Sequence, residues 1–128
     1  MNASNQQALD DYRSVHVTAD IANASPHRLI QMLMDRLMVN LHQGARAMAA
    51  GKISEKGERL GDAIAIIDCL RTSLDFGPSK DIAGKLESLY DYSIREVLKA
   101  NLEDDVSRVE RVAEVLGEIK SAWDAIDS

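Results

Sequence analysis

The sequence predicts an all-α protein, an antiparallel up-down four-helix bundle preceded by a mobile N-terminal arm or short cap helix. Of the 128 residues, 45% are apolar but only 4% aromatic, and two are proline, a composition typical of a compact helical protein. Apolar residues recur at spacings of three and four along four segments of roughly twenty residues each. Because the connections between the segments are short, consecutive helices must run antiparallel.

The first predicted helix, residues 25–51, begins and ends with clear signals. Ser25 can cap it, and Pro26 costs nothing in the first turn because its missing N–H would have no intrahelical partner there. Gly51 suits the left-handed position that ends many helices. The apolar seam of this helix consists of Ile30, Leu33, Leu37, Leu41, Gly44 and Met48. A seam of this kind faces other helices.

The next two helices are predicted between turn signals. Ser54 is expected to cap the second helix, and Gly77-Pro78 to end it. Ser79 is expected to cap the third helix, with Asp81 in the first turn, where the helix dipole favours an anion. The predicted seams are Leu60, Ala63, Ile67, Leu70 and Leu74, and then Ile82, Leu86, Leu89, Ser93, Val97 and Ala100.

The last helix follows a short polar break. Asn101 is expected just after the end of the third helix, and Asp104 or Asp105 is expected to cap the fourth. The fourth seam is Val106, Val109, Val112, Leu116, Ile119, Trp123 and Ile126. We therefore assign residues 25–126 to the bundle and residues 1–24 to the arm.

The bulk composition excludes several classes of function. The net charge is −6 with dispersed Lys and Arg, whereas phosphate binding needs a concentrated basic face, so nucleic acid is not an expected ligand. No apolar run approaches the ~20 residues that span a bilayer, and residues 1–7 lack the order of a signal peptide. Cys69 stands alone, so no internal disulfide is expected. These features predict a soluble cytoplasmic protein.

Sites of catalysis or metal binding are not expected. A di-iron bundle needs Glu-x-x-His pairs, and no Glu here is followed by His three residues later. There is also no Gly-rich phosphate loop and no Gly-x-Ser-x-Gly motif. Cys69 lacks a visible base and is expected to be a half-buried apolar residue. We therefore predict neither an enzyme nor a cofactor.

The remaining signals are apolar stripes beside the seams. Met34 and Met38 lie one turn apart on the first helix, and Tyr90 and Ile94 lie one turn apart on the third. Methionine adapts to varied apolar partners, so such a stripe can line an open groove. The alternative is ordinary core packing. Either this chain's own helices bury both sides of the first helix, or one side is held for a partner.

The order of several motifs resembles the flagellar export chaperone family FliS. The matching pieces, in chain order, are Tyr12, Val15 to Val17, Ala24-Ser25-Pro26, Leu29 to Asp35, Leu70 with Ser73-Leu74-Asp75, Leu86-x-x-Leu89-Tyr90-Asp91-Tyr92, Ala100-Asn101 and Ala122-Trp123. The chain departs from the family at Leu33-Met34, where many relatives carry Leu-Tyr.

The resemblance implies a cytoplasmic chaperone that binds the C-terminal segment of flagellin and prevents filament assembly before export. It also suggests a further partner, an anti-sigma factor or an export-gate component. Resemblance and helical geometry together give the expected partner-binding residues Tyr12, Met34, Met38, Leu41, Tyr90, Ile94 and Leu98. The arm residues Leu9, Tyr12, Val15 and Val17 are expected to shield the groove until flagellin displaces them.

A second function stays open at this point. The spare apolar surface could instead be buried against an identical copy, which would make the protein a self-assembling structural or adaptor bundle. The chaperone reading predicts a monomer or weak dimer, and the assembly reading predicts a stable oligomer.

Overall fold

The computed structural model describes residues 23–74 and 80–126. They form four α-helices, namely α1 (Pro26–Ala49), α2 (Ile53–Thr72), α3 (Lys80–Glu103) and α4 (Val106–Asp124). Contacts divide the chain into two units, residues 1–30 with residue 128, and Gln31–Asp127. The helix packing described below belongs to the second unit. The all-α four-helix fold is confirmed, while the boundary at residue 24 stays a prediction.

Each helix of the second unit contacts two neighbours. α2 packs against α3, and α3 packs against α4. α1 closes the bundle, since Gly44 lies directly against Leu60 of α2 and Met38 reaches Gly117 of α4. Residues 50–52 join α1 to α2, and residues 104–105 join α3 to α4. Such short connections make these consecutive helices antiparallel.

The core draws on all four predicted seams. Its most deeply buried large apolar side chains are Leu37, Leu41, Leu60, Ile67, Val97 and Val109. Two polar side chains, Asn40 and Ser93, are buried among them. The Ser93 hydroxyl donates to the carbonyl of Leu89 at 2.8 Å, which satisfies it inside α3.

The two ends of α1 are as the sequence predicts. The hydroxyl of Ser25 accepts a hydrogen bond from the backbone N–H of Arg28 at 3.1 Å, as an N-cap does. At the other end Gly51 has φ +71, and the N–H of Lys52 bonds back to the carbonyl of Ala47 at 2.9 Å. This is the six-to-one bond of a Schellman turn.

The predicted cap of α2 is wrong. α2 begins at Ile53 with Lys52 as its N-cap, and no side chain caps it. Ser54 lies inside the first turn instead. The reason is that the turn at Gly51 leads directly into α2, so no separate capping residue fits between the two helices.

The predicted end of α3 is also wrong by one short turn. α3 continues through Asn101 to Glu103, and Asp104 takes the left-handed position with φ +53. A short polar side chain tolerates this conformation. The prediction for the next cap is confirmed, because the carboxylate of Asp105 accepts from the N–H of Arg108 at 3.1 Å.

The predicted end of α2 at Gly77-Pro78 is wrong, because α2 ends at Thr72 and leaves the predicted seam residue Leu74 outside the helix. Two further seam positions are exposed. Ile82 is 62% exposed, and the neighbouring Ala83 is buried in its place. Ile126 is exposed because α4 ends at Asp124. Asp81 is in the first turn of α3, as expected. Several predicted residues lie outside the described ranges, namely Leu9, Tyr12, Val15, Val17, Gly77, Pro78 and Ser79.

Candidate functional site

The candidate site is the surface along the seam between α2 and α3, which we call the groove, and interactions near both ends of α2 show how these helices lie. Near the start of α2, Lys56 Nζ donates to the carbonyl oxygen of Asn101 at 3.0 Å. At the other end, the pKa of Arg71 is raised, first by its hydrogen bond to Asp68 and further by the charge of Glu87 on α3. α2 and α3 are therefore antiparallel neighbours along their whole length.

The α2 side of this groove includes two positions without side chains. Gly57 and Gly61 are one turn apart, and a Cβ atom added at either would meet no heavy atom within 4 Å. Ile53 lies four residues before Gly57 and Ile64 three residues after Gly61, so both share this side of the helix. Ile53 is 77% exposed and Ile64 half-buried. Bare backbone at the two glycines thus leaves open space between apolar side chains.

The α3 side of the groove carries large apolar side chains. Glu96 faces α4, because Arg108 Nη1 donates to its Oε2 at 2.8 Å. Residues two apart in a helix lie about 200° apart around its axis, so Leu98 projects away from α4. Leu98 is 53% exposed and Leu102, one turn later, is 84% exposed. Ile94, one turn earlier, is half-buried.

The groove is apolar at one end and carries charges of both signs at the other. From Ile53 to Ile64 the apolar part is about 17 Å long, or three helical turns. Beyond it, Asp68 and Asp91 are exposed and pair with Arg71 and Arg95, and Glu87 is also exposed. A surface of this shape and length accepts the apolar face of another helix.

Comparison with known proteins identifies the family. A family model described as flagellar protein FliS matches residues 8–128. The chain belongs to the FliS family. The resemblance that the motifs of the sequence indicated is thereby confirmed.

Several relatives of this FliS-family chain carry the name flagellar secretion chaperone. The FliS of Vibrio cholerae is 43% identical over 119 residues, covering 93% of this chain and 88% of that protein. FliSB of Pseudomonas aeruginosa is 41% identical over 120 residues, covering 94% and 95% respectively. FliS of Salmonella typhimurium is 40% identical over 116 residues, covering 90% and 86%.

A solved structure shares the fold. A crystal structure of a flagellar chaperone from bacteria matches with a TM-score of 0.71, covering 93% of this chain and 94% of that one. Its sequence identity is only 18%, so this likeness shows the fold alone. The arrangement of four helices is therefore shared with a protein of quite different sequence.

Three of the predicted partner-binding residues of this FliS-family chain are core residues. Met34, Leu41 and Tyr90 are 5%, 0% and 3% exposed. Burial also raises the pKa of the Tyr90 hydroxyl. The seams of α1 and α3 are wider than the sequence indicated, so these side chains fill the centre of the bundle. Tyr12 lies outside the described residues.

The other predicted residues lie at two different seams. Met38 packs between α1 and α4, where its Cε would be 3.4 Å from a Cβ added at Gly117. Lys120 of α4 also pairs with Asp35 of α1 at 3.0 Å on this side. Ile94 and Leu98 lie on the side of α3 that points away from α4 instead. The structure thus does not bring Met38 together with Ile94 and Leu98 in one groove.

Sequence reasoning missed four residues of the groove. Leu102 and Ile53 supply its most exposed side chains, and Gly57 and Gly61 supply its open floor. Leu102 could have been found, because it continues the spacing of Ile94 and Leu98 by one turn. The two glycines gave no signal, since glycine in a helix pattern normally only lowers helix propensity.

A charge network holds α3 to α4 on the side away from the groove. Tyr92 Oη donates to Glu96 Oε1 at 3.0 Å, and Arg108 Nε lies 3.3 Å from Asp105 Oδ2. The hydrogen bond from Tyr92 lowers the pKa of Glu96, and Arg108 lowers it further. The same hydrogen bond raises the pKa of Tyr92. This network keeps the polar side of α3 on α4 and its apolar side free.

Within residues 23–74 and 80–126, chemistry of other kinds is sparse. No group of three His, Cys, Asp or Glu residues there could hold a metal ion. None of the described helices is long and apolar enough to cross a membrane. Cys69 is exposed rather than half-buried as expected, because it lies on the outer side of α2.

Proposed function

We propose that this FliS-family protein is a cytoplasmic flagellar export chaperone. It binds the disordered C-terminal segment of flagellin in apolar surface, prevents premature polymerisation and delivers the subunit to the flagellar type III export apparatus. Two observations support this. Relatives at 40–43% identity are named flagellar secretion chaperones. The described part of the chain also exposes large apolar side chains on α2 and α3, with open space at two glycines of α2.

The observation that carries the proposal is the exposure of Leu98, Leu102 and Ile53 on α3 and α2, together with the open space at Gly57 and Gly61. Apolar surface loses free energy when it leaves water, at about 25 cal/mol per Å². Covering these three side chains would therefore contribute on the order of a few kcal/mol. The open space over the glycines lets the backbone of a bound helix come close, which increases the covered area.

A disordered segment can use this groove by folding on it. Residues at spacings of three and four along the segment would form one apolar stripe, and three turns of helix would fill the apolar part. Ordering the segment costs roughly 2–5 kcal/mol, so contacts beyond this groove must add to the affinity. Met38, half-buried at the seam of α1 and α4, is a candidate for such a second contact.

Co-purification with flagellin tests the proposal. The protein is mixed with full-length flagellin or with flagellin lacking its C-terminal segment, and complexes are separated by size. A one-to-one complex with the full-length subunit alone is the expected result. Equal recovery of both flagellins, or of neither, would show that the C-terminal segment is not what the protein binds.

A groove-filling variant locates the contact. Gly57→Leu places a side chain in open space, so helicity should persist while flagellin binding falls at least tenfold. Ser121→Leu is the matched control, since it adds the same side chain at an exposed position of α4. If Gly57→Leu bound flagellin as tightly as the parent protein, flagellin would not bind in the groove.

The self-assembling bundle is the competing function, and a second copy is the competing occupant of the groove. Light scattering over a concentration series separates the two functions. A monomer that forms a one-to-one complex supports the chaperone. A stable dimer that flagellin does not dissociate would contradict it.

A further inference from the structure

We propose that a second site, at the corner between α1 and α2, binds an acidic peptide segment. A cleft of about 330 Å³ opens there between the last turns of α1 and the first turns of α2. Arg46, Lys52 and Arg59 line it, so we call it the basic cleft. Its volume lies within the range of about 300–1,000 Å³ found for ligand sites.

The charges of the basic cleft are unbalanced. Three cations line it against one carboxylate, that of Glu55. Among the described residues none of these four side chains forms an ion pair, although the chain as a whole carries a net charge of −6. Unpaired cations that face one concave surface create a positive potential, which attracts negatively charged groups.

The start of α2 adds to this potential. Lys52 is its N-cap, and its side chain makes no capping hydrogen bond. The first N–H groups of a helix have no intrahelical acceptors, and they carry the positive end of the helix dipole. Lys52 and Glu55 both line the cleft, so this end of α2 lies beside it.

The spacing of the cations favours a peptide over a simple anion. Lys52 and Arg59 are seven residues apart, about 10 Å along the axis of α2, and Arg46 lies on α1. A single phosphate ion is too small to contact cations this far apart, whereas an acidic peptide carries several carboxylates along one chain.

The basic cleft is separate from the apolar groove. Arg59 lies two residues from Gly57 and from Gly61, so it projects from nearly the opposite side of α2. Ligands at the two places would not overlap. Binding of an acidic peptide at the basic cleft therefore does not depend on binding of flagellin at the groove, and the two are tested by separate experiments.

Fluorescence anisotropy with the full-length protein tests the inference. The probe is a fluorescein-labelled eight-residue peptide of alternating glutamate and alanine, and the reference peptide has glutamine in place of glutamate. The acidic peptide should bind at least tenfold more tightly than the reference, and raising the salt concentration should weaken it. The double variant Arg46→Gln with Arg59→Gln should lose at least tenfold in affinity for the acidic peptide.

A charge-matched control separates the cleft from the overall charge. Lys85→Gln with Lys99→Gln removes the same two charges from exposed positions of α3 and should leave the affinity unchanged. Equal binding of the two peptides, or equal losses in both double variants, would overturn the inference. Competition by inorganic phosphate at the concentration where the peptide competes would also overturn it, since the cleft would then bind any anion.

Discussion

Gly44 of α1 faces Leu60 of α2 so closely that a Cβ atom on Gly44 would lie 2.5 Å from Leu60 Cδ2 and 2.9 Å from Cγ. Real Cβ atoms do not approach other atoms to that distance. Leu60 is fully buried, so its side chain has no free volume into which it can turn. The missing side chain at Gly44 is what lets the two helices lie this close together.

Gly44→Ala should therefore destabilise the protein. Overpacking at a filled contact typically costs about 1–3 kcal/mol, which outweighs the gain of about 1 kcal/mol in helix propensity. The free energy of unfolding, measured with urea, should fall. Gly57→Ala is the matched control, because its Cβ enters open space and the variant should gain about 0.5–1 kcal/mol. Equal effects of the two substitutions would contradict the close approach.

Leu98→Glu should weaken flagellin binding without unfolding the protein. Leu98 is already more than half exposed, so a charge there changes the stability by only about 0.5 kcal/mol. A charge in the centre of an apolar contact typically costs more than 1 kcal/mol of binding, or about tenfold in affinity. Val115→Glu, at an exposed apolar position of α4, is the control and should leave binding intact. Titration calorimetry measures both.

Met38→Glu should behave differently from Leu98→Glu. Met38 packs on Gly117 of α4, so a glutamate there would place a charge in a half-buried seam and cost about 1–3 kcal/mol of stability. Met38→Leu keeps the volume and should cost less than about 1.5 kcal/mol. Thermal unfolding followed by circular dichroism checks both. Unchanged stability with lost flagellin binding would assign Met38 to the partner surface rather than to the seam.

The network of Glu96 and Arg108 should make the stability of the protein fall at acidic pH. Because hydrogen bonds from Tyr92 and Arg108 lower the pKa of Glu96, the folded state binds its proton less readily than the unfolded chain. This contribution is complete above the unfolded pKa of about 4.3 and is lost as the pH falls through the lower folded value. Asp105, whose pKa is also lowered, acts in the same direction. The free energy of unfolding is measured with urea at pH 7 and at pH 3. It should fall less between these pH values in the Glu96→Gln variant than in the parent protein.

Deletion of residues 1–17 tests the arm that the sequence predicts. If Leu9, Tyr12, Val15 and Val17 shield apolar surface, the shortened protein should aggregate at lower concentration and show a changed affinity for flagellin. Static light scattering and titration with flagellin measure the two effects. Unchanged solubility together with unchanged affinity would mean that these residues shield nothing.

Much of the fold was predictable because it depends on local rules. Ser25, Gly51 and Asp105 end or begin helices through their own side chains and backbone preferences, which act over only a few residues. Ser54 and Asn101 failed as predicted boundaries for a related reason. In both places the backbone turn, at Gly51 or at Asp104, fixed the helix boundary at a different residue from the predicted one.

The sequence by itself determined the helix number, the four seams and the likeness to the FliS family, since these are written in spacing and in the order of motifs. Only the tertiary structure decided that Met34, Leu41 and Tyr90 fill the centre, that Leu98 and Leu102 stay exposed, and that the space at Gly57 and Gly61 stays open. The physical reason is that periodicity shows which side of a helix is apolar, whereas exposure depends on how closely the neighbouring helix approaches that side. That distance is set by contacts between residues far apart in the chain, such as Gly44 with Leu60.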